Sequence, residues 1–389
     1  MGSDGALPTD ILLARPDLTP ADEEAVLRVL RSGWLTTGDE CNLLEQELAE
    51  RLCAPHVIAT SSCTSAMQIA LAYLDLPQGA RVGVPVWTFP ATALVVHHAG
   101  LRPVLLDIDP TTLNLSADAV EAEASQLHAV MPVHFGGVPV DVRVRHMAAE
   151  LGLPVIEDAA HALGAADDRG PVNGRSVVAA AFSFYATKNL TSAEGGALAT
   201  HDRELAEFAR SYRQHGMSRE AWKRYRSDGK PLYDIVSPGI KANLPDLLAA
   251  LARSQLRRFD TMQRARRELV VAYRERLQSR SELQVLPPVL AEDGADHLLV
   301  VALHASIDRG EVIRRLQGDR IGSSVHFTPL TQLSWLRENA EVGRGGCSNS
   351  ENMASRVLSL PLHPGLTIDD VDRVCDSLVR AVRGCSLPT

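Results

Sequence analysis

Seven short apolar runs, separated by segments of helical spacing, constrain this chain more than any other feature. They are Val57–Thr60, Val82–Val86, Val104–Ile108, Ala129–His134, Val155–Glu157, Ala179–Phe184 and Ala197–Thr200. Helical patterns fill most of the gaps, among them Thr64–Leu74, Ala117–Gln126 and Val142–Leu151. Strands that alternate with helices predict an α/β fold with a mainly parallel sheet covered on both faces. Continuous apolar runs such as Ala179-Ala180-Ala181-Phe182 agree, because parallel strands are buried on both sides.

Two helices precede the alternation. Thr19-Pro20-Ala21-Asp22-Glu23-Glu24 combines an N-cap, a proline at the first position and acids in the first turn, and this helix ends near Gly33. Gly38–Leu52 carries Leu44, Leu48 and Leu52 at helical spacing. After Asn243 the character changes. A long helical stretch, Leu244–Ser281, is broken near Phe259-Asp260; Leu298–Leu303, a helix Asp308–Leu316, Ser323–Phe327 and a final helix Thr367–Arg383 follow. Arg344–Ser350 reads as a mobile loop. The expected division is a large domain over 1–250, with its N-terminal helices, and a smaller α/β domain over 251–389 that includes the long connecting helix.

A net charge of -9 offers no general attraction to phosphate backbones, so nucleic acid is not expected as a partner. Val82–Leu101 lacks charged side chains and has the length of a membrane span, but Gly83, Pro85, Pro90, His97 and His98 suit a strand, a turn and a short helix instead. No membrane role is expected. The six cysteines form no CxxC pair and no metal-ligand spacing, which predicts free thiols, a reducing compartment and no metal. Residues 1–20 have no apolar signal core, and the expected location is cytoplasmic.

Chemistry concentrates after two of the strands. Phe182-Ser183-Phe184-Tyr185-Ala186-Thr187-Lys188 leaves a buried run and presents one lysine before Gly195-Gly196. Pro154-Val155-Ile156-Glu157-Asp158 ends another run in two acids. In a parallel sheet Lys188 and Asp158 face one crevice at the carboxyl ends of the strands. A structural ion pair is one reading. The other is pyridoxal phosphate, which needs a lysine for its aldehyde and a carboxylate for its ring nitrogen. Ser61-Ser62-Cys63-Thr64-Ser65-Ala66, at a strand-to-helix turn, supplies hydroxyls and N–H groups for an anion, or simply caps the helix. Ser183 adds a hydroxyl. Phe89 and Trp87 compete as the aromatic that stacks on a ring, and either also suits a core. His161 contacts Asp158 or the ring oxygen, or is a satisfied buried histidine.

Together these residues resemble the DegT-type sugar aminotransferases, a branch of the fold-type I pyridoxal phosphate enzymes. The resemblance extends from Ser32-Gly33-Trp34-Leu35-Thr36-Thr37-Gly38 to Ser359-Leu360-Pro361-Leu362, and its most specific pieces are Glu157–Ala165 and Phe182–Gly196. It implies a large, mainly parallel seven-stranded sheet domain and a smaller C-terminal α/β domain. It also implies a Schiff base on Lys188, Asp158 at the ring nitrogen, His161 on the ring and Phe89 stacked on its face. Cys63, Thr64, Ser65 and Ser183 fall at the phosphate. Gly239–Asp246 matches a motif whose asparagine, here Asn243, reaches the phosphate of a partner subunit, so a homodimer with shared sites is implied. Trp34 and His326 fall where the family meets substrate, and His215–Tyr225 resembles the branch that acts on the 4-keto carbon of nucleotide sugars.

The implied reaction moves an amino group from an amino acid, glutamate, to a 4-keto 6-deoxy nucleotide sugar. A C3-keto sugar or a ketocyclitol is the alternative acceptor. A sugar dehydratase of this family carries histidine at the lysine position, and a cofactor-binding sensor would need neither Lys188 nor Asp158 intact. Three positions depart from the family pattern: Cys63 for a small residue in the phosphate turn, Ile240 and Ala242 for aromatics, and Thr331 for a second histidine after His326.

Overall fold

The structure, a computed structural model, describes residues 10–218 and 233–385. Each of the seven apolar runs contributes a strand. These are β1 (His56–Thr60), β2 (Arg81–Pro85), β3 (Arg102–Leu106), β4 (Ala129–Val130), β5 (Ile156–Asp158), β8 (Ala179–Ser183) and β9 (Gly196–Thr200). Between β5 and β8 the chain forms a two-stranded ribbon, β6 (Ala166–Asp167) and β7 (Gly170–Pro171), that the sequence pattern did not signal. The order across the large sheet is β1-β9-β8-β5, then β4-β2-β3, the halves joined by parallel bridges Val130–Val155 and Val133–Asp158. Only β9 runs against its neighbours. Its first residue, Gly196, therefore lies beside the last residues of β1 and β8, Thr60 and Ser183.

The helices follow the predicted start and stop signals. Pro20–Ser32 opens with a reciprocal Thr19–Asp22 capping box and ends on left-handed Gly33. The long stretch after Asn243 is two helices, Asp246–Arg257 and Phe259–Leu277, with the break at Arg258. Residues 82–101, charge-free in sequence, divide into β2, a turn and the helix Ala91–His98. Among the described residues no helix is long and apolar enough to cross a membrane.

A second hydrophobic cluster is built on β10 (Leu283–Leu286), β11 (Leu299–Leu303) and β13 (Val357–Leu360), an antiparallel sheet backed by Phe259–Leu277, Arg309–Gly318 and Ile368–Arg383. Ser323–Phe327 is not a strand; a single bridge from Ser324 to Ser359 is all the pairing it makes. Two segments cross between the clusters. Ile11 packs into the second, while β12 (Glu341–Val342) extends the large sheet beside β3 and Cys347 and Met353 join its core. Arg344–Ser350, expected to be a mobile loop, is tied down: Arg344 N–H donates to Glu123, and Asn349 and Ser350 N–H donate to Asp107. All six cysteines are free thiols.

Candidate active site

The carboxyl ends of β1, β2, β5 and β8 open on one cavity of about 520 Å³. Sheet register places its groups. Asp158 closes β5, and Lys188 follows β8 after a turn in which Lys188 N–H donates to Tyr185 O at 2.9 Å. The turn after β1 becomes the helix Cys63–Leu74, whose N-cap Ser62 accepts from Ser65 N–H. The first-turn N–H groups of Cys63 and Thr64 have no acceptor inside the helix and suit an anion.

Gly196 explains the end of the lysine motif. A Cβ there would lie 2.4 Å from the Cys63 nitrogen and 2.4 Å from the Ser62 carbonyl carbon. Only a residue without a side chain lets β9 start against the anion turn.

Asp158 is a buried carboxylate with no ion-pair partner within 4 Å among the described residues. Its Oδ1 accepts from Ala160 N–H at 3.1 Å and faces the Cys63 thiol at 3.7 Å; its Oδ2 accepts from Thr92 Oγ1 at 2.8 Å. A charge held this way requires a cationic group opposite it. The protonated nitrogen of pyridoxal phosphate supplies one, the Cys63–Thr64 turn suits its phosphate, and Lys188 suits its aldehyde. The residues fit the cofactor.

Burial brings the Lys188 amine down to about 8, against the opposing pull of Asp158 and Cys63, so a useful fraction is unprotonated near neutrality. The same burial, with Lys188 nearby, holds His326 down to about 4; its Nδ1 lies 2.9 Å from Ser359 Oγ. Burial pushes the Cys63 thiol well above its ordinary range, Asp158 adding to the effect, and its sulfur donates to Ala181 O at 3.2 Å. Cys63 thus turns inward and leaves the helix start regular.

Of the two candidate aromatics, Phe89 lies on the cavity and is 60 % exposed, whereas Trp87 is fully buried and donates to His326 O at 3.1 Å. Cys63, Thr64, Asp158, His161, Ser183, Lys188 and His326 also line the cavity. Ser65 does not; its hydroxyl lies within hydrogen-bond distance of those of Ser61 and Ser62. Neither Trp34 nor Asn243 reaches the cavity within one chain. Trp34 lines a separate hollow of about 870 Å³ with Arg28, Asp39 and Glu40, and Asn243 donates to Thr37 Oγ1 at 2.6 Å. Arg219–Tyr225, within the segment compared with the 4-keto branch, lies outside the described residues.

Sequence reasoning missed Thr92, His297, Glu194 and the N-terminal pair Leu13 and Ala14, all of which border or support the site. Thr92 left one signal: with Thr88 it places two hydroxyls four residues apart in an otherwise apolar stretch. His297 follows Asp296 at the end of a polar loop ahead of an apolar strand and gave none.

This fold and this arrangement of lysine, acid and anion turn define a pyridoxal phosphate-dependent aminotransferase. The chain belongs to the DegT/DnrJ/EryC1/StrS aminotransferase family, which matches residues 16–379. It is 39% identical over 369 residues to the spore coat polysaccharide biosynthesis protein SpsC of Bacillus subtilis (strain 168), covering 93% of this chain and 94% of that one. Spr1654 from Streptococcus pneumoniae in its PLP form superposes with a TM-score of 0.86 at 26% identity, over 97% of this chain and 99% of the other. DesI, solved in the presence of its TDP-sugar product, gives 0.84 at 30% identity, over 96% and 94%. By family and fold the chain is a sugar aminotransferase.

Proposed function

We propose that this enzyme transfers an amino group from an amino acid, glutamate, to the 4-keto carbon of a 6-deoxy nucleotide sugar. The observation that carries the reading is the cavity shared by Lys188, whose amine burial brings down to about 8, and Asp158, a buried carboxylate with no ion-pair partner among the described residues. When bound, pyridoxal phosphate supplies an aldehyde that captures the donor amine and a ring that accepts electrons from its Cα–H bond. Asp158 would hold the ring nitrogen in its protonated form. The Lys188 amine would serve as base and then acid toward the donor carbon. His161 is neutral: burial, with Lys188 and His326 nearby, holds it well below its ordinary range. Its Nδ1 accepts from Gly136 N–H at 3.2 Å, which leaves the N–H on Nε2 to donate to an oxygen on the ring. His326, neutral for the same reason, offers hydrogen bonding to the sugar.

The reading includes a homodimer. Asn243 and Trp34 stand outside the cavity of their own chain, as residues contributed to a partner's site would. Dilution to monomer should then release cofactor. The direct test is incubation of the cofactor-loaded protein with glutamate and a set of 4-keto sugar nucleotides, read by the mass of the aminated product and by 2-oxoglutarate. Amination of only C3-keto sugars or ketocyclitols would replace the proposed acceptor. Cofactor binding without 2-oxoglutarate would indicate a sensor. Lys188→Ala should abolish both turnover and the visible absorbance of the bound cofactor.

A further inference from the structure

The residue after the lysine makes a closed hydrogen-bond network that has no part in the chemistry described so far. Asn189 is buried. Its Nδ2 donates to Ala295 O at 2.6 Å and to Gln263 Oε1 at 2.9 Å, and Gln263 Nε2 donates to the same Ala295 carbonyl at 2.9 Å. A backbone carbonyl only accepts, so it fixes the orientation of both amides. Asn189 must then present Oδ1 to His297 Nδ1, 2.9 Å away. His297 therefore carries its proton on Nδ1 and donates it. Next to it His161, accepting at Nδ1 from Gly136 N–H, carries its proton on Nε2. The two rings lie 4.3 Å apart in opposite tautomers.

We propose that His297 is a positioning residue for Lys188: by donating from Nδ1 to Asn189 it latches the lysine loop to the segment that leads into β11, and by packing on His161 it sets the plane of that ring. Lys188 is joined directly to the latched residue, so its amine inherits the placement. Both polar atoms of the Asn189 side chain are engaged, which leaves that side chain a single arrangement. Burial holds His297 neutral, well below its ordinary range, with His161 and Lys188 adding to the effect. The bare Nε2 of His297 has no protein partner among the described residues and is not sealed from the cavity.

The inference rests on Lys188 being the residue that captures the cofactor, and the test separates the two ideas. Cofactor-free protein is mixed with pyridoxal phosphate, the rise of visible absorbance is followed, and borohydride then fixes the adduct for peptide mapping. The variants are His297→Asn, His297→Gln and Asn189→Ala, each checked for a cooperative thermal transition. The amide of asparagine stands where Nδ1 stood and keeps the donor; that of glutamine stands near Nε2 and does not. Expected is mapping to Lys188 in the parent protein, capture at near-parent rate in His297→Asn, and capture slowed on the order of 10²-fold in His297→Gln and Asn189→Ala. Equal rates in all folded variants, or equal impairment of His297→Asn and His297→Gln, would overturn the latch. An adduct on another lysine in the parent would instead overturn the reading of Lys188, and the latch with it.

Discussion

Thr92 Oγ1 lies 2.8 Å from Asp158 Oδ2 and 2.8 Å from Thr88 Oγ1, so two hydroxyls in series end on the buried carboxylate. Phe89 O is also within reach of Thr92, at 3.3 Å, but the single hydroxyl proton goes to the nearer, charged acceptor. Thr92 keeps the Asp158 carboxylate aimed into the cavity.

Thr92→Val keeps the shape and removes the donor. A hydrogen bond to a charged group contributes about 1.5–3 kcal/mol, so cofactor affinity should fall on the order of 10–100-fold. Equilibrium dialysis against pyridoxal phosphate measures it. Thr92→Ser should restore most of the loss, and an unchanged Kd in the valine variant would remove Thr92 from the site.

Lys188 should react as an amine at lower pH than an ordinary lysine. Its value of about 8, against 10.5 for an unperturbed side chain, means that the neutral nucleophile is half present near pH 8 and falls about tenfold for each unit below. The pH profile of cofactor capture by the apo-protein tests this. A midpoint above 10 would show that burial does not act on this amine.

Gly196→Ala should damage the site without touching any chemical group in it. The added methyl would meet backbone atoms at 2.4 Å, and neither β9 nor the anion turn can yield without breaking sheet register. The cost is at least the 1–3 kcal/mol typical of overpacking, about, and is read as a lower urea midpoint together with lost cofactor binding. Retention of both would show that the turn moves freely.

Glu157, adjacent to Asp158 but on the opposite face, is fully buried with His134, Arg145 and Arg169 around it. Burial works to raise its carboxyl, yet these three partners together outweigh burial and hold it below 4.5. The stabilisation is therefore complete above pH 4.5 and is lost as pH falls through the folded value. Arg145→Met, which strands part of that charge, should cost about 3–5 kcal/mol and move the acid transition toward neutral pH. Acid titration of far-UV circular dichroism checks both.

The large sheet was readable because its strands are continuous apolar runs punctuated by helices, and the proximity of Lys188, Asp158, Thr64 and Ser183 was readable because each lies at or within a few positions of a strand end. Thr92 and His297 were not, since their roles depend on which distant backbone or carboxylate they face. β12 escaped for a related reason: Glu341-Val342 is too short to carry a pattern and becomes a strand only by pairing with Val104 and Leu105. Ser323–Phe327 has strand-like composition, but only Ser324 pairs, with Ser359 on the free edge of β13. Trp34 and Asn243 were legible as family positions, yet within a single chain both lie outside the cavity that holds Lys188.

The wall formed by Leu13 and Ala14 is fastened at the far end of the chain. Ile11 exchanges hydrogen bonds with Arg320 and Gly322, and Leu362 N–H donates to Leu13 O at 3.1 Å. The segment around Leu13 thus has no place to lie until Arg320, Gly322 and Leu362 are in position. The large sheet presents Lys188 without those contacts, but the cavity around it is not closed on that side until they form. The enclosure of the reactive amine is thereby a property of contacts between distant parts of the chain, and not of the lysine segment alone.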